Sequence, residues 1–158
     1  MPSRWLSKPQ QQAWRAYIES VRLLQDALDA QLQADAGMPH AYYEILVRLS
    51  EAPGRRLRMA ELATGTQSSR SRVSHAVTRL EQRGWIRREP CESDRRGQLA
   101  VLTDEGFAAL AAAAPGHVAT VRATVVDVLS AAQLRALADA SCAIAAAVQA
   151  HAEHDGPE

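Results

Sequence analysis

The sequence predicts a mainly α-helical chain that carries one small β-hairpin, and three observations lead to that class. Apolar residues recur at three- and four-residue steps over long stretches near both ends. A short helix, a tight polar turn and a second helix fit residues 59–83. Immediately afterwards, two short runs of strand type, 85–90 and 98–102, flank a charged turn at 91–97. At 158 residues the chain can bury a core without covalent staples.

The first helix opens at Ser7, which forms a capping box with Gln10, and Trp14, Tyr17, Ile18, Val21, Leu24, Leu28 and Leu32 line one face up to Gly37. Pro39 stands in the first turn of a second helix that reaches about Ser50, with Tyr42, Tyr43, Ile45, Leu46 and Leu49 toward its buried side. Ala52, Pro53 and Gly54 end it. Residues 59–64 read as a brief helix and 65–68 as a polar turn. Ser69 then caps a helix whose inner face is Val73, Ala76, Val77 and Leu80, and Gly84 closes it. Arg70, Ser71, Arg72, Ser74, His75 and Thr78 remain for its other faces, and its N-terminal half is where a recognition helix meets base edges and phosphates.

Beyond the hairpin, Thr103 caps a helix that starts at Asp104, with its acids at the positive end of the helix dipole. Pro115 and Gly116 are expected to kink or break this helix. Val118, Val121, Val125 and Val128 continue an apolar seam, and Ser130 with Gln133 starts a last helix that runs to about His151. Residues 154–158 are expected to fray. The seams at the two chain ends are too narrow and alanine-rich for an isolated core and suggest that the two ends meet each other and a second copy. This gives three segments: a dimerisation helix over 1–38, a winged helix-turn-helix over 39–103, and dimerisation helices over 104–158.

Charge is distributed unevenly. The chain is formally neutral, yet residues 53–100 hold eleven arginines against five acids, so a basic middle lies between acidic flanks and suits a polyanion. Cys91 and Cys142 have no metal-ligand spacing, and residues 1–12 contain no signal-like apolar run, so a reduced cytoplasmic protein is expected. The apolar helices are interrupted by Pro115, Gly116 and charges, so no membrane segment is expected. Cys142, in an alanine-rich helix, reads as a small core residue. His151 and His154 share a helical spacing without a third ligand, and HExxH, nucleophile-elbow, Walker and dinucleotide patterns do not occur. No metal, no cofactor and no enzymatic activity are expected.

The order of elements, with RSRVSHAVTRLEQRGWIRRE followed by DRRGQLAVLTDEG, resembles the MarR family of winged helix-turn-helix regulators. The likeness runs from about Pro39 to Gly106, and the flanking helices fit by architecture. It implies a mainly α winged helix-turn-helix with a β-hairpin wing, whose terminal helices form the dimerisation region. It also implies a sequence-specific regulator of double-stranded DNA, most often a repressor, which binds a pseudo-palindromic operator as a homodimer and is released by a small aromatic or phenolic effector. In the wing, Arg96 would reach into the minor groove, Asp94 would orient it and Arg95 would meet phosphate; an always-charged planar guanidinium suits a narrow, electronegative groove. Ser69, Arg70, Ser71, Arg72, Ser74 and His75 form the DNA-facing set. Trp14, Tyr17, His40, Tyr42 and Tyr43 are the candidate effector-binding residues, because they combine rings with polar handles on the first two helices. The competing readings are a redox regulator acting through Cys91 and a basic module for protein or RNA. RNA is the poorer fit, since a recognition helix does not enter the deep, narrow A-form major groove.

Overall fold

The computed structural model describes residues 5–66, 68–91 and 94–154, with the backbone alone for 94–96 and 152–154. In chain order the elements are α1 (Lys8–Ala36), α2 (His40–Glu51), a 3-10 turn (Pro53–Arg55), β1 (Arg56–Arg58), α3 (Met59–Gly65), α4 (Arg70–Gln82), β2 (Ile86–Cys91), β3 (Asp94–Leu102), α5 (Asp104–Val121), a π-helical turn (Arg122–Val126) and α6 (Ala131–His154). Two compact units result, residues 1–120 and 121–158.

In the first unit the helix ends follow local chemistry. The Ser7 amide donates to Gln10 Oε1 at 2.8 Å. Gly37 takes a left-handed conformation (φ 60°), and the amides of Gly37 and Met38 return to the carbonyls of Gln33 and Leu32, so the last turn of α1 is satisfied while Met38 inserts into the core. Pro39, at the N-cap of α2, offers no capping oxygen. Asp29 of α1 supplies it instead, accepting from the His40 amide at 2.8 Å and tying α2 to α1. Ser69 accepts from the Arg72 amide at 3.3 Å and starts α4, whose Val73, Ala76, Val77 and Leu80 are buried as the spacing predicts. They pack with Leu46, Leu49, Leu62, Ile86 and Leu102 in one core.

The sheet has the order β1-β3-β2, antiparallel throughout. Two corrections to the sequence reading arise here. β1 escapes it, because Arg56-Leu57-Arg58 has a single apolar residue; its pairing with Leu99, Ala100 and Val101 of β3 exists only once the chain has folded back. The turn predicted over 91–97 is also shorter, since strand pairing resumes at Asp94 opposite Cys91, after an irregularity between Pro90 and Cys91. Pro90 is tolerated because β2 is an edge strand.

Pro115 does not break α5, which runs on to Val121. The turn before it is anchored by buried Leu110 and Ala113, and the turn after it lies close to α1, where a Cβ on Gly116 would meet the side-chain ends of Gln31 and Asp35. Packing on both sides holds the helix across the missing amide. The disruption falls instead at the π-helical turn, in the second unit, where Arg122 pairs with Asp127 at 2.6 Å. α6 begins at the predicted capping box, with the Ser130 amide to Gln133 Oε1 at 2.9 Å and the Gln133 amide to Ser130 Oγ at 3.3 Å. Cys142 is exposed rather than a core residue, because α6 buries none of its described side chains. By length and composition alone, Asp104–Val126 and Ala131–His151 are apolar enough to cross a membrane.

One junction locks the winged unit together. Thr103 donates its amide to the Trp85 carbonyl (3.0 Å) and its hydroxyl to the Gly84 carbonyl (2.6 Å), while the Gly106 amide donates to Thr103 Oγ1 (3.0 Å). A Cβ on Gly106 would overlap the Trp85 carbonyl oxygen and crowd Leu102. Gly106→Ala is therefore expected to destabilise the protein by about 1–3 kcal/mol through overpacking, read as a lower urea midpoint at unchanged m-value.

Candidate nucleic-acid interface

All six residues expected to face DNA from the second helix, Ser69, Arg70, Ser71, Arg72, Ser74 and His75, are exposed around the N-terminal half of α4. They are exposed because the opposite stripe is buried. α3 is set against α4 by the turn between them, where the Thr66 amide returns to the Leu62 carbonyl and the Ser68 amide to the Ala63 carbonyl. Gln67 lies outside the described residues, as do the side chains of Asp94, Arg95 and Arg96; the backbone of these three forms the start of β3.

Most other arginines of the basic middle are committed within the molecule. Arg55 pairs with Asp104 at 3.1 Å and lies over the Phe107 ring. Arg83 donates to the Gly37 carbonyl at 3.0 Å and sits against Trp85. Arg87 pairs with Glu89 at 2.8 Å and Arg88 with Glu81 at 3.4 Å. Arg70 and Arg72 differ: neither guanidinium has a partner among the described residues. They occupy the first turn of α4, which contains no acid, so two cations stand at the positive end of a helix dipole. That placement is unfavourable in the free protein and is relieved by an anion. A groove of about 940 Å³ opens beside Arg70, lined by Arg58 and Met59 from the start of α3, Arg70 and Ser74 from α4, and Pro90, Gly97 and Gln98 from the hairpin. Arg58 and Gln98 were not singled out from sequence, since nothing local distinguishes a groove wall.

A second cavity of about 700 Å³ lies among α1, α2, the end of α3 and α5, lined by Gln25, His40, Tyr43, Glu44, Arg48, Thr66 and His117 among others. His117 packs on Tyr43 (centroids 4.4 Å apart) and stacks with His40 at 5.7 Å. Of the five candidate effector residues, His40 and Tyr43 line this cavity. Tyr42 packs half-buried against the core, and Trp14 and Tyr17 pair 6.3 Å apart on an exposed face of α1. Burial pushes the Tyr43 phenol up and His117 down, the latter with His40 adding to the shift and Glu44 opposing it. Cys91 is buried at the end of β2, which counts against a readily oxidised thiol.

These features have counterparts in known proteins. A model of the MarR family matches residues 36–97, from the end of α1 into the wing. The structure of Sco3205, a MarR family transcriptional regulator from Streptomyces coelicolor in complex with DNA, is 55% identical, covers 90% of this chain and 90% of that one, and superposes with a TM-score of 0.88. The chain belongs to the MarR family of transcriptional regulators. Another MarR family regulator, AbsC from Streptomyces coelicolor, is 46% identical over 94% of this chain and 99% of its own, with a TM-score of 0.89. Among curated relatives, the HTH-type transcriptional regulator PecS of Dickeya dadantii (strain 3937) is 38% identical over 71 residues, which span 45% of this chain and 40% of PecS. The match thus spans less than half the length of that relative.

Two outcomes follow for this MarR family chain. Arg70→Gln and Arg72→Gln are each expected to leave the DNA-free protein equally stable or a few tenths of a kcal/mol more so, while lowering the salt slope of DNA binding by about one; thermal melts and affinity at several salt concentrations check this. The pKa of His117 lies below the usual 6.5, so the unfolded chain takes up its proton first as pH falls. The stability contributed by neutral His117 is present above 6.5 and is lost progressively as pH drops toward the folded value. Melts at pH 7.5 and 5.5 should show a lower midpoint in acid, and His117→Gln should remove part of that drop.

Proposed function

We propose that the chain binds double-stranded DNA sequence-specifically as a homodimer and represses transcription until a small effector occupies the α1–α2–α5 cavity. The observation that carries the reading is the pair of arginines at the exposed start of α4 that have no partner among the described residues, with Arg70 lining a groove that the wing completes. That Sco3205 is in complex with DNA supports it at 55% identity. In this reading Ser69, Arg70, Ser71, Arg72, Ser74 and His75 enter the major groove, Arg96 enters the minor groove with Asp94 orienting it, and Arg95 meets phosphate.

Dimerisation follows from exposed apolar side chains, Trp14 and Ile18 on α1, and Leu137, Ile144 and Val148 on α6, which a second copy would cover. A dimer with two recognition helices about 34–36 Å apart reads a pseudo-palindromic operator. The apolar stretches of α5 and α6 then serve subunit packing in the cytoplasm rather than membrane insertion. For the effector, a cavity of about 700 Å³ is large enough for a small molecule, and the rings of His40, Tyr43 and His117 with Arg48 and Gln25 suit a small aromatic or phenolic compound with polar substituents.

The test is a gel shift on the duplex upstream of the chain's own coding sequence and on duplexes selected from a random pool, in excess nonspecific competitor. A competitor-resistant shift is expected, and Arg96→Ala should weaken it about tenfold or more at unchanged helicity. No shifted species on any duplex at low salt would sink the reading.

A further inference from the structure

Arg88 belongs to the basic middle, yet its donors turn inward. It lies on β2, opposite Ala100 of β3, and its side chain is 21% exposed. Nη2 donates to the Ser74 carbonyl and to Thr78 Oγ1, both at 2.9 Å, and Nη1 lies 3.4 Å from Glu81 Oε2. The Arg88 amide donates to the other oxygen of the same carboxylate at 3.3 Å. Thr78 Oγ1 in turn donates to the Ser74 carbonyl at 2.9 Å, so the guanidinium joins a side-chain bond already closed within α4. Three acceptors from two successive turns of α4 therefore converge on one residue of the wing.

Arg88 also borders the groove between α4 and the hairpin. It cannot turn both Nη groups to a phosphate without releasing Ser74, Thr78 and Glu81. Its neighbours Arg87 and Glu89 pair with each other and make no such link to α4. A planar fork reaching a carbonyl, a hydroxyl and a carboxylate is a task for arginine, because a lysine ammonium lacks the fixed fork that spans them. The Ser74 that lends its carbonyl is itself one of the outward-facing residues of α4.

We propose that Arg88 and Glu81 are positioning residues that fix the wing relative to the recognition helix, so that DNA specificity depends on a pair that does not itself touch DNA. This rests on the DNA-binding reading above. Operator recognition requires α4 and the wing to engage adjacent grooves at once, and a wing that drifts loses the specific complex while nonspecific phosphate attraction survives.

The experiment uses the full chain, a duplex that the wild type selects from a random pool, and poly(dI-dC) as nonspecific DNA. Arg88→Lys and Glu81→Ala, each checked for unchanged helicity, are expected to lower the ratio of specific to nonspecific affinity about tenfold, with an unchanged salt slope. Glu81→Ala keeps the test open should the Arg88 variant fold poorly. An unchanged ratio in both variants overturns the proposal. So does a Glu81→Ala protein that binds both DNAs more tightly in equal measure, the signature of an Arg88 freed to hold phosphate. Hydrogen exchange without DNA supplies an independent arm: β2 amides should exchange faster in both variants while α3 amides do not, and equal β2 rates overturn the clamp. If the wild type selects no duplex, the DNA-binding reading fails, and the exchange result alone decides whether Arg88 holds the wing.

Discussion

The winged unit depends on burial of one stripe of α4. Val73, Ala76, Val77 and Leu80 turn inward together, and α2, α3 and the sheet all meet that stripe in a shared core. The buried Val73, Val77 and Leu80 each contribute about 1.5–3 kcal/mol relative to an exposed side chain, enough to fix the rotation of α4 about its axis. Fixing that rotation places Arg70, Arg72, Ser74 and His75 outward. The polar face is thus a consequence of the apolar one, and the hydrogen bonds of Thr103 to the Gly84 and Trp85 carbonyls keep the end of α4 joined to α5.

Charge is partitioned on this frame. Arg83 serves the end of α1, Arg55 the start of α5, and Arg88 the back of α4, each matched to a carbonyl or carboxylate. These pairs are at least partly open to solvent and add modestly to stability, but they orient elements. Among the described side chains of the basic middle, Arg70 and Arg72 remain, held where the helix dipole opposes them. A basic composition is therefore a poor guide to which arginines face a partner. The set left without acceptors among the described residues is a better one.

The second cavity connects to the same frame from the other side. Asp29 caps α2 from α1, and His117 of α5 packs on Tyr43 and His40 of α2, so three helices that border the cavity also support the core beneath α4. Leu46 and Leu49 of α2 share that core with the buried stripe of α4, so the cavity wall and α4 rest on the same packing.

Several features were legible in the sequence because short-range chemistry decides them. The stripe of α4, the caps at Ser69, Thr103 and Ser130, the glycine ends at Gly37 and Gly84, and the existence of a hairpin all depend on residues within a few positions of each other. The outward set of α4 belongs here too, being what the apolar spacing leaves over. Tertiary structure alone decided the rest. β1 exists only as a partner of β3, α5 survives Pro115 only because its two flanking turns are packed, and Cys142 is exposed because α6 buries none of its described side chains. Which arginines are occupied, and that His40 and Tyr43 share a cavity with His117 while Trp14 and Tyr17 do not, depend on acceptors and rings up to about eighty residues away in the chain. Spacing along a chain reports on faces and ends; it carries no information on which distant face closes over them.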